Sequence, residues 1–415
     1  MKKLVSLLLA LALVLAVAAA SAETISLTVW GGEFDQDFLA ERVEAFKAAY
    51  PDQTFEVQIG VESESTAKDT VLTDPTAAAD VYSFASDQIN ELVKAGALMN
   101  IDNVAAVLEA YAGKTLDDVK AANAAGSVEA ATVDGAFYAF PNSFDNGYFL
   151  YYDSSVLTEE DVKTWDSLLA AAANDPAGRK VGMTLASGWY NAGFFYGAGF
   201  TTGLNADGTT AIDWNGTSES GVTGVQVVQA MLAIAADPSF MAIADGDISN
   251  QIASGNVCAV VSGTWDAPAA QAAFGEGYTA TKLPTYTVGD AQVQTGSVAG
   301  CKLTGVNGFS ENAGWAVLLA DFLTNEESQK IHFQQNEIGP SNLVAQADPA
   351  VAANVAISAL GQQGAYGVIQ LVGGKYWDPT ATFGERIAQG AIASDDASVQ
   401  AALDELVAGV TAPIE

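Results

Sequence analysis

ISLTVWGGEFDQDFLAERVEAFKAAYPDQTFEVQIG, residues 25–60, decides the fold. Ile25 to Trp30 is a β-rich run that stops at the turn signal Gly31-Gly32. Phe38, Leu39, Val43 and Phe46 then recur at helical spacing, with acids and Lys47 between them, and Pro51 ends the run. Thr54 to Gly60 alternates as a second strand. Strand, helix and strand in so short a span make a βαβ unit, and such units build parallel sheets whose strand ends carry ligands at a crevice.

The pattern continues outward from there. Asp80 to Phe84 reads as a short strand, Gln88 to Ala95 as a helix capped at Gly96, and residues 103–130 as Ala-rich helical spacing. Tyr148 to Tyr152, Lys180 to Leu185, Val257 to Ser262 and residues 300–307 read as strands; Trp165 to Ala173, Val222 to Ala235, Ile248 to Ala253 and residues 313–323 read as helices. Trp189 to Phe200 is aromatic and broken by glycine, and the C-terminal third is mostly helical. No repeat, low-complexity tract or long Pro/Ser linker divides the chain, so two domains would be joined by short strands crossed more than once.

Composition removes several functions. The 415 residues carry 16 Lys+Arg against 50 Asp+Glu, a formal charge of −34, which is repelled by nucleic acid and anionic lipid. A hydrophobic share of 50% argues for a folded chain. One His and two Cys leave little for a histidine triad or a transition-metal cluster, and no cofactor or metal is expected. Residues 1–22 have the basic start, apolar stretch and Ala-Ser-Ala tail of a cleaved secretory signal. Its removal takes Lys2 and Lys3 but no acid, leaving 14 basic against 50 acidic residues and a charge of −36. The exported chain is expected to be periplasmic or extracellular. There Cys258 and Cys301 either pair in a disulfide or remain two buried thiols.

LTVWGG near the start, DVYSFASDQINELVKAGALMNI at 80–101, GAFYAFPNSFDNGYFLYYDSSVL at 135–157 and TWDSLL after it form an ordered series. ASGNVCAVVSGTWD at 253–266, KLPTY at 282–286, GVNGFSENAGWAVLLADFLTNEESQ at 305–329 and GGKYWDPTATFG at 373–384 complete it. In this order the chain resembles the extracellular solute-binding proteins of ABC importers, the family that includes maltose- and maltodextrin-binding proteins. The resemblance implies an α/β fold of the two-lobed periplasmic-binding-protein type (type II), two α/β domains with hinge strands and a ligand cleft. It places one lobe at 23–143 plus 298–345 and the other at 144–297 plus 346–415. The implied partners are an oligosaccharide, most simply maltose or maltodextrin, and the permease subunits of the transporter, with the binding protein itself a monomer.

A sugar offers hydroxyls to polar groups and C–H faces to flat rings, so its site combines carboxylates with aromatic side chains. The resemblance assigns Phe84 as a stacking platform, Asp87 as a hydroxyl acceptor and Asp145 as a hinge carboxylate, with Asn146 nearly as good a match for the last. Trp265 is the stacking ring after a buried strand, Trp189 and Tyr190 stand where the family has an acid and an aromatic, and Trp377 and Phe383 supply a late aromatic wall. The first loop offers Glu33 and Asp35 but lacks the Lys of the maltose-binding pattern. Trp30, Trp165, Trp214 and Trp315 are expected in the core, and His332 as a surface or packing residue. Two rivals stay open: a binding protein for a cationic ligand such as a polyamine, which would also use acids and rings, and a secreted glycoside hydrolase, which needs a carboxylate pair. No G-x-S-x-G, H-E-x-x-H or Walker motif supports an enzyme.

Overall fold

The structure, a computed structural model, describes residues 24–205, 207–369 and 371–413; the secretory stretch 1–22 lies outside the described residues. The chain separates into two compact units, Met1–Asp145 with Gly300–Ala352 (unit 1) and Asn146–Ala299 with Ala353–Glu415 (unit 2). The divisions expected at 143/144, 297/298 and 345/346 compare with crossings at 145/146, 299/300 and 352/353.

In chain order the elements that position the site are β1 (Ile25–Gly31), α1 (Gln36–Ala49), β2 (Phe55–Val61), β3 (Val81–Ala85), β4 (Ala139–Gly147) and β5 (Phe149–Asp153). There follow β6 (Lys180–Met183), α2 (Gly188–Gly197), β7 (Phe240–Ala242), β8 (Val257–Ser262) and β9 (Tyr278–Thr281). β10 (Ser297–Val306), α3 (Glu326–Asn336), β11 (Gly367–Ile369) and α4 (Trp377–Ala388) complete the set.

In unit 1, β1 lies between β2 and β3, parallel to both, and β10 extends the sheet antiparallel to β3. Alternation sets the faces: Ile25, Leu27 and Val29 are buried while Ser26 is exposed. Phe38, Leu39, Val43 and Phe46 of α1 are buried, as the helical spacing predicts, and join a core that includes Val81, Tyr82, Phe84 and Trp315. The C-terminal ends of β1, β2 and β3 therefore share one edge. Because β10 runs the other way, with Lys302 opposite Ala85, the stretch of β10 entering unit 1 begins at that same edge.

In unit 2 the sheet order is β7-β6-β8-β5-β9. β6 is parallel to β7 and β8, and β5 is antiparallel to β8 and β9. β5 and β8 are buried along their whole length, the mark of central strands covered on both faces. Trp165 and Trp214 fill the core of this unit, the latter stacked on Phe195 with ring centroids 4.1 Å apart. Trp30 is half-buried and lies over Gly60.

The segment read as glycine-broken is the helix α2. A Cβ at Gly193 would stand 2.4 Å from the carbonyl oxygen of Gly296, and one at Gly197 2.0 Å from that of Gln294. These glycines, four residues apart on one helix face, let α2 lie directly on the backbone of the neighbouring segment.

Cys258 and Cys301 are free and buried, each within its own unit's core. The disulfide alternative is corrected to two separate apolar thiols, and burial pushes them up to about 11 and about 12 respectively.

Candidate functional site

The loops at the strand ends of unit 1 are tied together by glutamines. Gln36 Nε2 donates to the carbonyls of Gly31 and Gly32, each at 3.1 Å. Gln88 Nε2 donates to those of Glu64 and Ser65 at 2.8 and 2.9 Å. The loops after β1, β2 and β3 are thus one built surface at the sheet edge where open α/β sheets hold ligands.

Four ionisable groups gather there. Asp35 is buried, and its Oδ1 lies 2.8 Å from His332 Nε2. Burial alone would raise the Asp35 carboxyl; the hydrogen bond and charge of His332, followed by the charge of Lys302 and a bond to Glu64, outweigh that and hold it below the usual carboxylate range. His332 itself is buried and stacked on Phe38, centroids 4.2 Å apart, so it is a packing residue with a polar task. One turn on along α3, Asn336 Nδ2 donates to the Phe34 carbonyl at 2.9 Å and to Asp35 Oδ1 at 3.1 Å. Lys302 Nζ stands 3.6 Å from Glu64 Oε1. Burial works against the Lys302 charge, but Glu64, Asp145 and Asp35 together raise it above the ordinary lysine value.

The expected unit 1 residues separate into two groups. Glu33 is exposed on the first loop beside Phe34, which is 89% exposed. Asp87 is half-buried at the end of β3; burial pushes its carboxyl up, and no side chain among the described residues is bonded to it. Phe84 and Asp145 do not face outward. Phe84 has no exposed surface and packs beside Tyr82, so its ring is a core ring. Asp145 is 2% exposed, and its Oδ2 accepts from the Gly339 amide at 2.7 Å, latching the end of β4. Asn146, the alternative at that point, is half-buried.

Unit 2 gathers rings. Trp265, in the turn after β8, is 49% exposed. Its six-membered ring folds back over Gly263, where a Cβ would meet it at 2.1 Å, so only glycine allows this pose. The turn is held from behind: Tyr151 Oη donates to the Gly263 carbonyl at 3.0 Å, and the buried Asp266 accepts from Ser262 Oγ at 2.5 Å and from Ser249 Oγ. Tyr190 is nearly buried, with burial raising its phenol above the ordinary value despite a bond to Ser262. Trp189 is half-buried, 6.2 Å from Tyr148.

Tyr376 Oη donates to the Gly188 carbonyl at 2.9 Å and Asn191 Nδ2 to that of Thr380 at 2.9 Å, fixing the starts of α2 and α4 against each other. Trp377 is half-buried and edge-on to Tyr376, whereas Phe383 is 3% exposed and belongs to the core. The structure therefore brings Tyr190 and Trp265 together through Ser262 and Asp266, sets Trp189 and Trp377 at adjoining helix starts, and leaves Phe383 behind them.

Phe34, Glu64 and Lys302 were not legible as site residues. Phe34 and Glu64 stand in loops just past strands, a position that itself points to ligands in open α/β sheets. Lys302 is the one charge in the otherwise uncharged strand SVAGCKLTGV, which is a signal of its own.

Among the described residues no group of three or more His, Cys, Asp or Glu is placed to hold a metal ion, and no helix is long and apolar enough to cross a membrane.

A family model described as bacterial extracellular solute-binding protein matches residues 41–359. The galactooligosaccharide-binding protein of Bacillus subtilis (strain 168) is 25% identical over 355 residues, 83% of this chain and 79% of that protein. A structure solved with acarbose is 30% identical, with a TM-score of 0.79 over 93% of this chain and 99% of that one. The maltodextrin-binding protein of L. casei BL23 without ligand has the same fold at 23% identity, with a TM-score of 0.77 over 94% of this chain and 99% of that one.

Proposed function

The chain belongs to the bacterial extracellular solute-binding proteins, and from that premise we propose that it captures an oligosaccharide, an α-glucan of the maltodextrin type, for delivery to the permease of an ABC importer. The observation that carries this reading is Trp265: a half-exposed indole folded over a glycine and held by a buried Tyr151, Ser262 and Asp266 scaffold. A flat apolar face so fixed suits the C–H face of a pyranose, whose hydroxyls need acceptors such as Asp87 and Glu33. Trp189, Tyr190 and Trp377 are the proposed further ring contacts, while Phe84, Phe383 and Asp145 act from behind the surface.

The resemblance to a structure solved with acarbose supports a glucan, and the B. subtilis relative supports an oligosaccharide of some kind. Intrinsic fluorescence from the seven tryptophans, titrated with maltotriose, a galactooligosaccharide and spermidine, tests the reading. Saturable quenching by maltotriose is expected. A response to the galactooligosaccharide alone would replace the sugar, and a response to spermidine alone would replace the class of ligand.

A further inference from the structure

Lys302 is an uncommon residue for its place. The chain holds 16 basic residues in 415, yet this one stands within a strand whose other nine residues are uncharged, and its side chain is only 25% exposed. Register fixes where it points: opposite Ala85, the last residue of β3, at the edge where β1, β2 and β3 end. Glu64 Oε1 is 3.6 Å away, and Asp35 and Asp145 are the other charges acting on the ammonium.

Three features suggest more than a structural ion pair. Enclosed charge pairs are weak stabilisers, because desolvation offsets much of their attraction, and a methionine would fill the same space. The 3.6 Å separation exceeds an ordinary N–H···O hydrogen bond, and an ammonium has three donors, so donors remain for a ligand. Finally, a Cβ at Gly32 would lie 3.4 Å from both Asp35 Oδ2 and Glu64 Oε2. The missing side chain keeps the space between these two carboxylates open.

We propose that Lys302 is a ligand-contacting specificity residue: its Nζ donates to a hydroxyl of a neutral polyhydroxy ligand, and its charge offsets the surrounding carboxylates so that amines are excluded. This rests on the oligosaccharide reading and names the donor that the Gly31–Asp35 loop lacks. A sugar hydroxyl both donates and accepts, so a lysine set beside Glu64 offers both halves of that pairing. With the ammonium removed, Glu64, Asp145 and Asp35 lose the cation they surround, and the more negative site attracts polyamines.

The test uses the full mature chain as wild type, Lys302→Met and Lys302→Arg, titrated calorimetrically with maltotriose, a set of monodeoxy maltotrioses and spermidine. Lys302→Met is expected to weaken maltotriose by about tenfold or more, the scale of one lost hydrogen bond to a charged group. The loss should vanish for the one deoxy analogue lacking the partnered hydroxyl, and spermidine binding should appear. An equal loss for every analogue, with no gain of spermidine, would show a structural role and overturn the proposal. Unchanged maltotriose affinity would overturn it too. Lys302→Arg keeps the charge should the Met variant fail to fold. It is expected to exclude spermidine still but to change the ranking of the deoxy analogues, and an unchanged ranking would sink the donor role. If wild type binds no oligosaccharide at all, the functional reading falls and this inference with it, whereas failure of the variants alone leaves that reading standing.

Discussion

Unit 1 sets carboxylates around a lysine at its strand ends, Glu64, Asp145 and Asp35 around Lys302, whereas unit 2 carries rings after its own strands, Trp265 after β8 and Tyr190 after β6. The two kinds of surface need different support. Carboxylates must be kept apart and ionised, so unit 1 spends His332, Asn336 and two glutamines on orienting its loops. A ring needs only its pose fixed, and unit 2 does that with a glycine beneath Trp265 and a buried hydrogen-bonded turn behind it.

The largest effect contrasts two tryptophans of unit 2. Trp214 is fully buried and stacked on Phe195, so Trp214→Ala should cost about 3–5 kcal/mol of stability, read as a lowered urea midpoint. Trp265 is half in water, and Trp265→Ala should change stability by less than about 0.5 kcal/mol while weakening sugar binding by about tenfold or more. Undiminished affinity in the second variant would remove Trp265 from the site.

Much of this was legible in the sequence. Residues 25–60 carry their own strand, helix and strand, and SGTWD carries its strand and exposed turn, because both depend on neighbours in the chain. What was not legible depends on partners far away. α2 looks broken by glycine until the backbone at Gly296 is seen against Gly193, and Lys302 gains its meaning only when β10 aligns it with Ala85. Phe84 and Asp87, three residues apart, looked alike as ligand groups; the sheet turns one into the core and the other to its edge.

The acidic side of the comparison is tested by pH. The folded Asp35 carboxyl is held below its ordinary 3.8, so its contribution to stability is fully present above that value and is lost as pH falls through the lower folded value. Asp35→Asn should therefore be less stable than wild type at neutral pH, with the gap closing on acidification. A gap that stays constant in urea melts across the acid range would contradict the His332 pairing. Asp87 has the opposite sign. Its carboxyl is raised by burial, so ionisation costs stability once pH rises through the folded value. Asp87→Asn should raise the thermal midpoint slightly at neutral pH while weakening sugar binding, and a lowered midpoint would mean the carboxylate serves the fold instead.

The smallest effect compares the two cores directly, since each holds one buried thiol. Cys258 sits in β8 with Sγ 3.6 Å from the Lys180 carbonyl, and Cys301 sits in β10 with its amide donating to Ser86 Oγ at 3.2 Å. Burial removes access, and the raised values of about 11 and about 12 keep thiolate scarce at the mildly alkaline pH of a thiol assay. The native protein should therefore leave an aromatic disulfide reagent unreacted, both thiols should react once guanidinium unfolds it, and reductant should leave the thermal midpoint unchanged. Reaction at one thiol in the native protein would show that its unit opens locally at a free energy well below the other's, turning a symmetric pair of reporters into a measure of which core is the weaker.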